Sequence, residues 1–163
     1  MVKENIGQLF ERDLQKLKQE IDAYQDESIL WQTMNGISNS AGNLCLHLLG
    51  NLNNFIGAKL GNTGYIRNRE QEFSLKNIPK STLLKEIDKV IEIVRDTLNS
   101  LSDEELSYKY PEDVLGPPMT TGYFLIHLAG HLNYHLGQIN YHRRILTAIK
   151  SQVESFIQNK PNG

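Results

Sequence analysis

The chain has 163 residues, of which 39% are hydrophobic and 22% are charged, a composition typical of a folded domain rather than a disordered chain. Its 17 Lys and Arg residues nearly balance its 19 Asp and Glu residues, and no stretch gathers enough positive charge to bind a phosphate backbone, so we expect no nucleic-acid partner. No apolar run approaches the roughly 20 residues of a membrane span and no apolar signal core follows the N-terminus, so we expect no membrane partner and predict a single cytoplasmic domain over residues 1–163.

An amphipathic helix is predicted at the start of the chain. Apolar residues recur there every three or four positions, the spacing that places them on one face of an α-helix. These residues are Ile6, Phe10, Leu14, Leu17, Ile21 and Tyr24. The periodicity is lost over residues 26–39, which predicts a connection, and Ser38, Asn39 or Ser40 can cap the helix that follows.

The second predicted helix carries His47. Its apolar stripe comprises Leu44, Leu48, Leu52, Phe55 and Ile56. Three glycines within residues 57–64 favour a turn at its end. Residues 65–80 are predicted to form a charged loop closed by Pro79, and sixteen residues are long for a loop in a helical bundle, which suggests a functional role.

The third predicted helix is also amphipathic. Its apolar stripe comprises Leu84, Ile87, Ile91, Val94, Leu98 and Leu101. Ser81 or Thr82 is its candidate N-cap. Ser102 and Glu105 then form a capping-box pattern, which predicts a short extra turn after this helix.

The last predicted helix holds most of the histidines. Three prolines make residues 110–118 irregular, so the helix is expected to begin at Thr120 or Thr121. Its stripe comprises Phe124, Leu128, Leu132, His135, Ile139 and Leu146. Residues 150–160 either continue this helix or form a short separate segment. Because no useful strand-like alternation occurs, the sequence predicts an all-α fold in which four amphipathic helices pack as an antiparallel bundle.

Four of the five histidines lie within residues 127–142. His131 and His135 are one helical turn apart on the same face, so their imidazoles can point at a shared metal ion. His47 is the natural third ligand, which would leave one coordination position open, as in catalytic zinc sites. Spacing alone leaves the pair of His127 and His131 equally possible. Alternatively, these histidines form hydrogen bonds within the bundle or face water.

Several neighbouring residues have weaker predicted roles. Gly50, one turn after His47, removes bulk and could let the last helix approach closely. Cys45 points about 200° away from His47 around the helix, so we expect a small packed residue rather than a ligand or a nucleophile. His142 precedes two arginines and is expected at the surface near a helix end, facing the helix dipole.

Polar residues beside the proposed ligands could support them. Asn43 lies one turn before His47 and Gln138 lies three residues after His135, so both could orient ligands or bound water, or they could only cap an interhelical contact. The loop charges are expected to be solvated; they are Arg67, Arg69, Glu70 and Glu72. The functional alternative is that Arg67 and Arg69 form a site rim that recognises an anionic substrate group.

Three segments of the chain resemble the DinB superfamily, which includes the YfiT-like metal-dependent enzymes. They are residues 39–44 (NSAGNL), 47–52 (HLLGNL) and 131–139 (HLNYHLGQI). The resemblance extends over nearly the whole chain in order and spacing. It implies an up-down-down-up four-helix bundle that holds a divalent metal ion on His47, His131 and His135, with His127 as a neighbour.

The resemblance also implies a class of function. We expect a metal-dependent enzyme of the thiol transferase or hydrolase type, with open metal positions and a small-molecule substrate such as a low-molecular-weight thiol. Imidazole ligands suit zinc or nickel. Alternatives are a non-catalytic metal-binding or stress-related module and a metal-free interaction protein. A homodimer is expected from the resemblance, with Trp31 or Tyr123 as an apolar contact left outside the bundle.

Overall fold

The computed structural model describes residues 2–158, and within this range the secondary structure is helical apart from one isolated β-bridge between Lys109 and Thr120. The α-helices are α1 (Val2–Asp22), α2 (Ala41–Leu52), α3 (Arg69–Ser74), α4 (Lys80–Ser100) and α5 (Thr121–Gln158). Short 3₁₀ helices span Glu27–Trp31 and Glu105–Ser107, and a π-helical turn, Asn53–Ala58, extends α2. The predicted all-α fold is confirmed. Within residues 2–158, none of these helices has both the length and the apolar character needed to cross a bilayer.

Polar contacts along α1 show how the bundle is arranged. Lys18 binds Asp88, whereas Lys3, near the start of α1, binds the carbonyl of Leu101 just after α4, so α1 and α4 are antiparallel. Two further contacts show that α1 and α5 are parallel.

Asp13 accepts a hydrogen bond from Asn133, and Glu20 accepts one from Asn140, with the same offset of 120 residues in both pairs. The equal offset means that the two helices run in the same direction. The pairs are also seven residues apart on each helix, so both sit on one face of their helix.

The remaining direction follows from α2 and α5. His47 contacts His131, and further along the chain Phe55 contacts Phe124, so these elements are antiparallel. Taken with the directions of α1 and α4, this arrangement is up-down-down-up for the four long helices. It is the topology that the resemblance implies, and it brings the histidines of α2 and α5 face to face.

The predicted apolar stripes meet in one core. All six stripe residues assigned to the first helix are buried, including Tyr24, which lies just after α1. Cys45 is fully buried, which confirms the prediction of a packed residue, and burial raises the pKa of its thiol to about 12. Trp31 is partly buried against α2, where a Cβ at Gly42 would lie 2.7 Å from the indole ring. Trp31 is therefore not left outside the bundle, whereas Tyr123 is 60% exposed.

Helix starts follow the predicted capping patterns in two of three cases. The Ser40 side chain accepts a hydrogen bond from the backbone N–H of Asn43 at the start of α2. Ser102 and Glu105 bond to each other's backbone N–H groups, which confirms the capping box. In the described chain α4 has no side-chain cap of its own, so the prediction of Ser81 or Thr82 is wrong.

The start of α4 is stabilised from elsewhere in the chain. The backbone N–H of Lys80 donates to the carboxylate of Glu27, in the 3₁₀ helix after α1. Because this tertiary contact satisfies the first N–H group, α4 begins directly after Pro79. At the other end of the chain, α5 begins at Thr121 and continues through Gln158, so the residues after 150 extend this helix within the described range.

Candidate metal centre

Three imidazoles converge between α2 and α5. The Nε2 atom of His131 lies 3.2 Å from Nε2 of His47 and 3.1 Å from Nε2 of His135. The potential ligand atoms of the three residues all lie within 4.8 Å of one another, a cluster that could hold a metal ion. His127 is not part of this cluster. Its exposed ring stacks beside Phe124, and the centre of the His131 ring is 6.5 Å away.

Hydrogen bonds fix which nitrogen of two imidazoles carries the proton. His47 Nδ1 lies 2.9 Å from Glu72 Oε2, and since a carboxylate only accepts, Nδ1 donates. His135 Nδ1 lies 2.6 Å from the amide oxygen of Gln138 and donates to it in the same way. When the imidazoles of His47 and His135 are neutral, the Nε2 atom of each therefore carries a lone pair that faces His131.

The electrostatics of the cluster keep His131 and His135 neutral. Burial, followed by the nearby His135 and His47, lowers the pKa of His131 to about 4. Burial is also the main reason that the pKa of His135 is lowered. His131 Nδ1 is buried and has no hydrogen-bond partner within residues 2–158. With the proton of neutral His131 on Nδ1, its Nε2 offers a lone pair beside those of His47 and His135. Three imidazole nitrogens that converge in this way are suitable ligands for zinc or nickel.

A carboxylate that the sequence did not single out supports His47. Glu72 is buried, and its oxygens also accept hydrogen bonds from Nε and Nη2 of Arg67 at 2.7 and 2.9 Å. Burial alone would raise the pKa of Glu72, but the bonds from His47 and Arg67 outweigh it, so the pKa lies below its ordinary value and the carboxylate is charged. The prediction that the loop charges are all solvated is wrong for Glu72 and for its partner Arg67, whose side chain is 15% exposed.

Glu72 reaches His47 because part of the predicted loop is a helix. Residues 69–74 form α3, whose N-cap, Asn68, accepts a hydrogen bond from the backbone N–H of Gln71. An Asn followed three residues later by Gln is a capping signal that could have predicted α3. The guanidinium of Arg69 lies over the ring of Phe73 at 5.9 Å. That Arg67 and Arg69 form a site rim that recognises an anionic substrate group stays a prediction.

Residues on α2 hold α3 in place. Asn43 donates from Nδ2 to the carbonyls of Glu72 and Leu75, at 3.0 and 2.9 Å, so it anchors α3. Within residues 2–158 it forms no hydrogen bond with the three histidines. A Cβ at Gly50 would lie 2.1 Å from Glu72 Oε1. The missing side chain at Gly50 thus makes room for Glu72, and the expectation that it serves the approach of the last helix is wrong.

His142 lies away from the cluster and is buried. Its Nε2 donates to the carbonyl of Gln32 at 2.9 Å, so its Nδ1 accepts from the hydroxyl of Tyr24 at 2.8 Å. Burial lowers its pKa. The prediction of a surface position near a helix end is wrong because α5 continues well past this residue.

Comparison with known families places the chain. Residues 3–160 match the family model DUF1572, which is described as a protein of unknown function. The chain belongs to the DUF1572 family. No curated protein matches this DUF1572 member.

A solved structure supports the superfamily resemblance of this DUF1572 protein. It is that of a DinB-like protein from Bacillus cereus ATCC 10987, with a TM-score of 0.70 and 20% sequence identity. The match covers 88% of this chain and 92% of that chain. At this identity the likeness shows the fold, so the predicted resemblance to the DinB superfamily is confirmed at that level.

Proposed function

We propose that this protein binds a divalent metal ion through Nε2 of His47, His131 and His135 and uses the ion in an enzymatic reaction on a small molecule. The observation that carries the proposal is the convergence of these three nitrogens while the Nδ1 atoms of His47 and His135 are already committed to Glu72 and Gln138. Second-layer acceptors of this kind orient ligating imidazoles in known metal sites.

Partial exposure of the cluster favours an open site. His47 is buried, but His131 and His135 are only partly buried, so small molecules can approach from the α5 side. Three protein ligands leave at least one position free in a four-coordinate zinc site. A bound divalent ion at such a position supplies a Lewis acid that lowers the pKa of a bound water or thiol toward neutrality.

Three side chains beside the histidines would support that chemistry. Glu72 holds the ring of His47 and raises the basicity of its Nε2, while Arg67 compensates the charge of Glu72. Gln138 holds the ring of His135. This arrangement supports a thiol transferase or a hydrolase with zinc or nickel as cofactor. The alternative is a non-catalytic metal-binding module.

Metal analysis of purified variants tests the ligand set. The unaltered chain is expected to hold one equivalent of zinc or nickel, and His47→Ala, His131→Ala and His135→Ala to lose most of it. His127→Ala is the matched control, because it removes an exposed imidazole from the same helix without touching the converging nitrogens. Metal content in His131→Ala equal to that of the unaltered chain would remove this assignment.

Activity screening separates the enzyme from the binding module. Thiol transfer to several electrophiles and hydrolysis of several esters are measured on metal-loaded protein and on protein treated with chelator. Turnover that depends on the ion and is absent from His131→Ala supports an enzyme. Tight metal binding without turnover in either assay supports the non-catalytic module.

We also propose a homodimer formed through α5. Tyr123, Ile126 and Tyr134 are each more than half exposed, and an apolar surface of this kind is typical of subunit contacts. Light scattering measures the mass in solution directly. A dimer that Tyr123→Lys and Ile126→Lys convert to a monomer supports this face, and a monomeric unaltered chain contradicts it.

A further inference from the structure

A groove lies near the candidate metal centre, between the connection before α2, the start of α2 and the part of α5 that follows His135. It has a volume of about 310 Å³, at the lower end of the range for small-molecule sites, which is about 300–1,000 Å³. Ile37, Leu44 and Ile145 form apolar walls, and Tyr141 adds an aromatic ring.

The groove and the histidine cluster share one contact residue, Gln138. Gln138 lines the groove, and its amide oxygen is the atom that binds His135 Nδ1 at 2.6 Å. The lining residues of α5 run from Gln138 to Ile145, three to ten positions after His135. At a rise of about 1.5 Å per residue the groove extends from about 4.5 to 15 Å beyond that histidine along the helix axis.

The lining of the groove carries no formal charge. None of the described residues that line it is Lys, Arg, Asp or Glu. His142 contributes to the wall, but both of its ring nitrogens are engaged, by Tyr24 and by the carbonyl of Gln32. The polar side chains of Ser38, Asn39 and Gln138 also line the groove, but a charged group would lose hydration there without gaining an opposite charge, whereas an apolar group would be removed from water.

We propose that this groove binds the uncharged, apolar arm of the substrate, while a thiol at the other end of the same molecule reaches the metal centre. The inference rests on the proposed function, because it takes the three histidines as the metal site. It specifies the substrate class: neutral thiols with an apolar or aromatic arm bind better than short thiols and better than anionic thiols.

Cobalt-loaded full-length protein provides the test, since bound cobalt and its bond to a thiolate each give separate absorption bands. Three probes are titrated: 6-phenylhexane-1-thiol, whose chain is long enough to carry its ring into the groove, ethanethiol and 8-sulfanyloctanoate. The phenyl compound is expected to bind about tenfold more tightly than ethanethiol, because its ring is buried in the groove. The anionic probe is expected to bind no better than ethanethiol.

Matched variants on α5 locate the binding surface. Ile145 lines the groove and is 40% exposed; Ile149, one turn later, is 46% exposed and lies outside it. Ile145→Asp is expected to reduce the preference for the phenyl probe to within about twofold of ethanethiol, while Ile149→Asp keeps it. Tyr141→Ala, at a residue that is 67% exposed, removes an aromatic wall without a buried charge and is expected to lower the same preference.

The outcomes separate the two proposals. If cobalt binds and the phenyl probe has no advantage over ethanethiol, or if Ile145→Asp and Tyr141→Ala both keep the full advantage, the groove proposal is wrong and the metal site stands. If the protein with all three histidines shows no absorption band from bound cobalt, the proposed metal site is wrong, and the groove proposal is wrong with it.

Discussion

Gly50 leaves the space that the carboxylate of Glu72 occupies. A Cβ at position 50 would lie 2.1 Å from Glu72 Oε1 and 2.8 Å from its Cδ, closer than side-chain atoms pack. The same carboxylate accepts from His47 Nδ1, three residues before Gly50 on the same helix. The glycine thus determines where the partner of a candidate metal ligand can sit.

Replacing this glycine is expected to weaken metal binding. In Gly50→Ala the new methyl group displaces the Glu72 carboxylate, and His47 loses its acceptor. We expect zinc affinity, measured by competition with a chromophoric chelator, to fall by roughly 10- to 100-fold, the usual effect of losing such an acceptor. Gly7→Ala is the control, since a Cβ on that α1 glycine meets nothing within 4 Å. Unchanged affinity in Gly50→Ala would mean that the position of Glu72 does not matter to the ligands.

The two acceptors are expected to differ in importance. Glu72→Gln keeps the shape of the side chain but removes its charge, and we expect zinc affinity to fall by about 10- to 100-fold. Gln138→Ala removes an acceptor that is exposed to water, and water can replace it at His135, so a loss of less than about tenfold is expected. Chelator competition on both variants shows which acceptor matters more. A larger loss of zinc affinity in Gln138→Ala than in Glu72→Gln would contradict the prediction.

Metal is expected to raise the free energy of unfolding. A ligand that binds only the folded chain, at a free concentration of about 100 times its Kd, adds about 2.7 kcal/mol. Urea denaturation with zinc and with chelator measures this difference. We expect it in the unaltered chain and in His127→Ala but not in His131→Ala. Equal stabilisation of His131→Ala would place the ion elsewhere on the protein.

The contact between Glu20 and α5 predicts a pH dependence of stability. Glu20 is buried, and burial raises its pKa. Hydrogen bonds from Arg143 and Asn140 lower the pKa by more than burial raises it, so the pKa lies below its ordinary value. The charged form is therefore favoured in the folded chain. Its contribution to stability is complete above the pKa of the unfolded chain, near 4.5, and is lost as the pH falls through the folded value.

Glu20→Gln tests this pH dependence by urea denaturation. Near pH 7 we expect the variant to be less stable by about 1.5–3 kcal/mol, the range for hydrogen bonds to a charged group. The difference from the unaltered chain should shrink below about pH 4.5, where protonated Glu20 resembles glutamine. Glu92→Gln, at an exposed position of α4, is the control and should have no such effect. A constant difference across this pH range would contradict the prediction.

The long helices could be predicted from sequence because each must bury an apolar stripe. The stripe from Ile6 to Tyr24 and the start of α5 at Thr121 both follow from local periodicity and helix-breaking residues. The convergence of His131 and His135 follows from one helical turn. Spacing did not choose between His127 and His135, and that choice came from the superfamily resemblance.

The supporting residues could not be predicted because their roles depend on contacts between distant segments. Nothing local distinguishes Glu72 from the other charges of its segment. It turns inward because Asn43 and Gly50, on another helix, anchor its backbone and leave space for its side chain. The environment of His142 was mispredicted for a related reason: its neighbours, Tyr24 and Gln32, come from a part of the chain more than 100 residues away.

Helix α3 has six residues, fewer than the roughly 12 to 15 that an isolated helix needs to persist in water. Its stability must come from its docking on α2, and one of the docking contacts is the bond between Glu72 and His47. An ion on His47 that strengthens this bond would, by thermodynamic reciprocity, hold α3 in place to the same extent that α3 favours the ion. Whether α3 is ordered would then depend on whether an ion occupies the candidate metal centre. The four long helices need not move for this coupling.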